Sequence, residues 1–197
     1  MPGGTDRIGN RTDWPGTARG SGQDLRKPEI FVDADACPVK QEICRVAKRH
    51  GMPVTFVSNS PMRIPIEKGI RQVCVEGGLD AADDWIAGNL AKDDIVITAD
   101  IPLAGRSIRA GARVVAPDGR VFSEDNIGEV LATRDLLAGL RGAGIQTQGP
   151  PPFRKEDRSR FLHALDETLR DVRRCGQRRD RFGEDGTRPT ERPGQDG

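Results

Sequence analysis

The 197-residue sequence predicts an α/β domain in three layers, a parallel sheet with helices on both faces. Three observations predict it. Short apolar runs of strand length alternate with segments of helical periodicity. The runs are unbroken, as expected for strands covered on both sides. The alternation is confined to residues 29–175, bracketed by ends of different composition.

Glu29-Ile-Phe-Val-Asp33 is the first strand. Pro38 follows where the first turn of a helix tolerates it. Val39, Ile43, Val46 and Ala47 recur at helical spacing until His50-Gly51, a stop signal. Residues 54–57 form a second strand and 70–75 a third. A helix over 79–91 places Ala82, Ile86 and Leu90 on one face. Residues 95–98 are a fourth strand, 102–110 a short helix ended by Gly111, and 114–115 a fifth strand. Ser123 is fit to cap a helix running to about Leu140. A Gly/Pro linker over 142–152 leads to a last helix over 154–174, apolar at Phe161, Leu165, Leu169 and Val172.

The ends differ. Hydrophobic residues are 35% of the chain, with 24 Gly and 14 Pro, a composition that suggests one ordinary domain diluted by polar extensions. Residues 1–28 and 176–197 are expected to be disordered, because neither buries enough apolar surface to offset the entropy of ordering. Residues 29–175 are expected to form a single domain.

The charge balance is 31 Lys+Arg against 30 Asp+Glu, which excludes coating of nucleic acid by charge alone. Residues 29–152 are nevertheless net −3, with 14 basic and 17 acidic side chains. Cys37, Cys44, Cys74 and Cys175 form no C-x-x-C, and only 2 histidines accompany them, so a Cys/His zinc site is not expected. No apolar run reaches the roughly 20 residues of a membrane span. Free thiols and the lack of a signal-peptide pattern suggest the cytoplasm.

Two apolar strands end in acid: Ile30-Phe-Val-Asp33-Ala-Asp35 and Ile95-Val-Ile-Thr98-Ala-Asp100. Carboxyl ends of parallel strands line the ligand crevice of such a sheet, so Asp33, Asp35 and Asp100 are expected to converge. Asp80, Asp83 and Asp84 open the helix over 79–91, with Asp80 sharing a face with each of the other two. Any one of these acids alone reads first as structural, a helix cap or first-turn residue. Several focused on one crevice repel one another unless neutralised, and Mg²⁺ or Mn²⁺ neutralises such a group well. Such an ion lowers the pKa of water and stabilises charge on a phosphodiester in flight.

Other features are weighed against that chemistry. Cys37 precedes a helix start, which would lower its thiol pKa, but neither His50 nor His163 has an evident route to it, and His163 reads as a partly exposed packing residue. The loop Ser58-Asn-Ser-Pro-Met-Arg63 follows the second strand, and Ser58, Asn59 and Arg63 suit phosphate contacts as well as an ordinary Pro-rich turn. Residues 170–181 hold six Arg against two Asp, either a solvated helix end or a source of non-specific nucleic-acid affinity.

Val32-Asp-Ala-Asp-Ala-Cys-Pro-Val39, Asp80-Ala-Ala-Asp83, Ile97-Thr-Ala-Asp-Ile-Pro-Leu103 and Gly144-Ile-Gln-Thr-Gln-Gly-Pro150 resemble the motifs of the bacterial YaiI/YqxD family. The resemblance runs from about Ile30 to Leu169. It implies a PIN-like fold, whose better-known members are metal-dependent ribonucleases. It further implies that Asp33, Asp80, Asp83 and Asp100 are catalytic and, with Asp35, hold Mg²⁺ or Mn²⁺, with RNA as the substrate. Asp84 is not fixed by the motif. Two other functions remain open: an RNA- or nucleotide-binding module without turnover, and a phosphatase of the haloacid-dehalogenase kind. The latter class also opens with strand-Asp-x-Asp, here Asp33-Ala-Asp35.

Overall fold

A computed structural model describes residues 27–182 except Ala36, Pro65, Ile66, Leu79, Thr147, Gln148 and Pro150, with side chains through Gln177. The expected disorder of residues 1–26 and 183–197 lies outside the described residues, whereas residues 176–182, also expected to be disordered, continue the last helix. In order, the elements are β1 (Ile30–Asp33), α1 (Lys40–His50), β2 (Val54–Ser58), β3 (Ile70–Cys74), α2 (Ala81–Asn89), β4 (Ile95–Ile97), α3 (Ile101–Arg109), β5 (Arg113–Val115), β6 (Val121–Phe122), α4 (Glu124–Gly142) and α5 (Lys155–Phe182).

The strands form one six-stranded sheet in the order β3-β2-β1-β4-β5-β6. The first five are parallel, as expected. The sixth, β6, pairs antiparallel with β5 and was not anticipated. It is two residues long, too short to leave a pattern. The chain doubles back to it through a tight turn in which Gly119 takes φ 89° and Ala116 N–H donates to the Arg120 carbonyl at 2.8 Å.

Alternation along each strand builds two cores, one on each face. Ile30, Val32, Val54, Phe56, Ile95, Ile97 and Val115 face α1 and α5. Phe31, Val57, Val96 and Val114 face α2 and α3. On α5, Phe161, Leu165, Leu169 and Val172 are all buried, so the expected stripe is the packed one. Val39, which precedes α1, and Ile43, Val46 and Ala47 on it are buried likewise. Gly51 ends α1 in the left-handed conformation at φ 61°, and its N–H reaches the Ala47 and Lys48 carbonyls. The helix α4 has no buried residue and leans on α3 through half-buried Ile127 and Val130.

The last helix runs to Phe182, past the expected end at Arg174. A single Gly at position 176 costs about 1 kcal/mol relative to Ala, which does not stop a helix already propagating into Gln and Arg residues. Among the described residues, no helix is long and apolar enough to cross a membrane.

Candidate active site

From β1 the sheet grows one way through β2 and β3 and the other way through β4 and β5. The β1–β4 junction is therefore the switch point where a crevice opens beyond the carboxyl ends. Asp33 is the last residue of β1, and Thr98 directly follows β4. Thr98 is 1% exposed. Its Oγ1 donates to Asp33 Oδ2 at 2.9 Å and accepts the Asp100 N–H at 2.9 Å. Asp100 is the N-cap of α3, and its Oδ1 accepts the Leu103 N–H at 2.7 Å.

Asp83 reaches the same crevice from the first turn of α2. Burial, then the charges of Asp100, Asp33 and Asp80, push its carboxyl up to about 6, against the opposing charge of Arg106. Burial also raises Asp33, opposed by the Thr98 hydrogen bond and Lys40 and reinforced by the charges of Asp35 and Asp100. The structure thus brings Asp33, Asp83 and Asp100 within mutual electrostatic reach, and Asp80 within reach of Asp83. Asp80 stands exposed at the N-cap of α2 and makes no side-chain cap bond. The capping role open to it is filled instead, at α3, by Asp100. Asp84 is exposed and pairs with Arg106 at 2.7 Å.

Asp35 is exposed and caps no helix. Its Oδ2 accepts the Asn59 N–H at 3.0 Å and ties the β1 end to the loop after β2. In that loop Arg63 is exposed and Asn59 half-buried. Ser58 departs from the expected phosphate contact: it is fully buried, and its hydroxyl donates to the Ser60 carbonyl at 2.8 Å. It is the last residue of β2, one past the end of the pairing with β1, and is still paired with Cys74 of β3.

Cys37 is buried and unsuited to act as a nucleophile, as the lack of a histidine partner suggested, although its place before a helix was expected to lower its pKa. Burial pushes its thiol up to about 11, outweighing the Val39 amide and the Lys40 charge. His163 lies on the exposed face of α5, 3.4 Å from Glu167. Thr98 and Lys40 join the site although neither is among the residues expected from sequence. Thr98 was visible in the Ile97-Thr-Ala-Asp motif, but nothing in sequence announces that one hydroxyl will join two carboxylate residues. Lys40 opens α1, where its charge reaches Asp33.

All the converging donors are carboxylate oxygens, which suits a hard cation. Among the described residues, no three His, Cys, Asp or Glu side chains are grouped as a ready-made metal cage. The arrangement fits an ion held by one or two carboxylates and completed by water and a phosphate, the usual habit of Mg²⁺.

The chain belongs to the uncharacterized YaiI/YqxD family, whose model matches residues 31–171. A UPF0178 protein of Rhodopseudomonas palustris strain HaA2 is 54% identical over 145 residues, covering 74% of this chain and 88% of that one. One from Nitrobacter winogradskyi is 53% identical over 146 residues, covering 74% and 93%. One from Brucella ovis is 53% identical over 148 residues, covering 75% and 92%. No solved structure matches the chain.

Proposed function

We propose that this YaiI/YqxD family member is a divalent-cation-dependent nuclease that hydrolyses phosphodiesters of RNA. The observation that supports the reading is the mutual repulsion of Asp33, Asp83 and Asp100 at the switch point of the sheet. Arg106 and Lys40 offset only part of this charge, and the repulsion that is left is one a bound cation relieves.

The residues divide the work by their surroundings. Asp33 and Asp100 are fixed by Thr98 and by the N-terminus of α3, so they are the ligands with set directions. Asp80 and Asp35 lie exposed at the rim, where they add negative charge around the ion without ligating it. Asp83, half-buried beside the two, is the carboxylate placed to take a proton from the attacking water. When bound, Mg²⁺ or Mn²⁺ supplies a lowered water pKa and charge stabilisation at the phosphorus.

The test is incubation of the full chain with labelled single-stranded RNA and DNA, and with a small phosphomonoester, in Mn²⁺ and in EDTA. RNA cleavage lost in EDTA and in Asp33→Asn supports the reading. Tight RNA binding with no cleavage points instead to a binding module. Phosphate release from the monoester alone points to a phosphatase, a reading for which the engaged Ser58 hydroxyl is poorly disposed.

A further inference from the structure

A crevice lined with carboxylates repels the polyanion it is meant to cleave, so affinity for the strand must come from elsewhere on the same edge. The Arg-rich half of α5 is not that place. Arg173 bonds the carbonyl of His50, at the far end of α1 from the crevice. The carboxyl edge itself has an oppositely charged neighbour. A cavity of about 410 Å³ opens between the first turns of α1 and α5, lined by Cys37, Pro38, Lys40, Gln41, Glu42 and Arg158.

Two cations and one anion line this cavity. Glu42 is buried at 3% exposure and is answered by Arg158 Nη1 at 3.0 Å. The Arg158 guanidinium also lies 5.8 Å from the centre of the Phe153 ring, which fixes its plane. With five N–H donors and half of its side chain exposed, it keeps donors for a second partner. Lys40 Nζ donates to the Cys37 carbonyl at 2.9 Å and has further protons to offer.

We propose that this cavity is a phosphate-binding subsite, in which Lys40 and Arg158 hold one phosphate of a nucleic-acid strand while the adjoining phosphodiester lies in the acidic crevice. Lys40 joins the two regions, since its charge also acts on Asp33. The assignment of the adjoining phosphodiester rests on the hydrolase reading; the affinity for phosphate does not. The subsite makes the substrate class a strand with at least two phosphates in sequence. A mononucleotide fills one region and leaves the other open.

The experiment measures binding in EDTA, apart from any hydrolysis. Inorganic phosphate is titrated into the full chain by calorimetry, and a short single-stranded RNA with a phosphorothioate backbone by fluorescence anisotropy. Lys40→Gln is expected to weaken both by roughly tenfold, the scale of one charge-assisted contact. The double variant Glu42→Gln/Arg158→Gln keeps the local charge balanced and is expected to weaken both similarly, with thermal melts reporting that each variant is folded. Unchanged affinities in both folded variants, or no phosphate binding by the wild type, overturn the proposal. If the variants lose phosphate while the wild type cleaves no RNA in Mn²⁺, the subsite stands and the hydrolase reading falls.

Discussion

Thr98 donates its hydroxyl hydrogen to Asp33 at 2.9 Å, and the same oxygen accepts the backbone N–H of Asp100 at 2.9 Å. One buried hydroxyl therefore locks the end of β1 to the start of α3 and aims two carboxylate residues at one crevice. Thr98→Val keeps the shape and removes the bond. It is expected to cost about 1–3 kcal/mol at pH 7, because Asp33 keeps its charge and loses its donor. The Thr98 bond lowers the pKa of Asp33 against burial, so the variant raises that carboxyl further. Urea unfolding at pH 7 and pH 4 checks this. The cost must shrink at pH 4, where more of Asp33 is protonated; a cost independent of pH refutes the coupling.

Asp83 supplies a pH signature of opposite sign to an ordinary salt bridge. Its carboxyl is raised from 3.8 to about 6 in the folded protein. Between those values the native state holds the proton more firmly than the unfolded chain, so stability falls as pH rises through the window. Asp83→Asn removes that slope. At pH 7 the variant is expected to be more stable than wild type by on the order of 1 kcal/mol, allowing for solvent screening. Near pH 3 the two should coincide. Denaturant midpoints across this range decide it, and a variant less stable at pH 7 would make Asp83 a structural acid.

Much of this was legible in the sequence because two periodicities speak plainly. Ile30, Val32 and Phe31 alternate between the two cores, and Phe161, Leu165, Leu169 and Val172 repeat at helical spacing. The acids at the strand ends were legible through the rule that parallel strands open onto a crevice. Their division of labour was not. Asp80 and Asp100 both precede helices, and only the backbone geometry decides that Asp100 caps and Asp80 does not. Ser58 looked available because its neighbours are polar, while its burial depends on β3 pairing outside β2. Cys37 shows two opposed effects of known sign whose sizes only the fold sets.

The docking of α5 gives a test of packing alone. Leu165 is fully buried, and Leu165→Ala is expected to cost about 2–5 kcal/mol. Gly119 abuts the same helix. A Cβ there would lie 2.7 Å from the backbone of Arg160, and its φ of 89° disfavours any side chain. Gly119→Ala should therefore destabilise by about 2 kcal/mol or more, a cost seldom reached by a surface turn. Chemical denaturation of both variants is the measurement, and a near-neutral Gly119→Ala would mean that α5 shifts freely away from the turn.

The acids of the crevice respond to a cation in a way that separates ligand from structural residue. Asp33→Asn retains an oxygen to accept from Thr98, and Asp100→Asn retains the cap, since Asn serves α3 as well as Asp does. Each substitution removes one of several repelling charges. In EDTA both variants are therefore expected to melt no lower than wild type, and slightly higher if the repulsion dominates. Added Mn²⁺ stabilises only a native state that binds it, by about 2.7 kcal/mol at a hundredfold excess over Kd. Wild type should gain this and both variants should lose it. Asp100→Ala supplies the contrast, because it removes the cap as well and costs about 0.5–2 kcal/mol in EDTA. Thermal melts of the four proteins in EDTA and in millimolar Mn²⁺ carry the decision. A wild type indifferent to Mn²⁺, with both Asn variants melting lower, would make these carboxylates structural and remove the basis for cation-dependent hydrolysis.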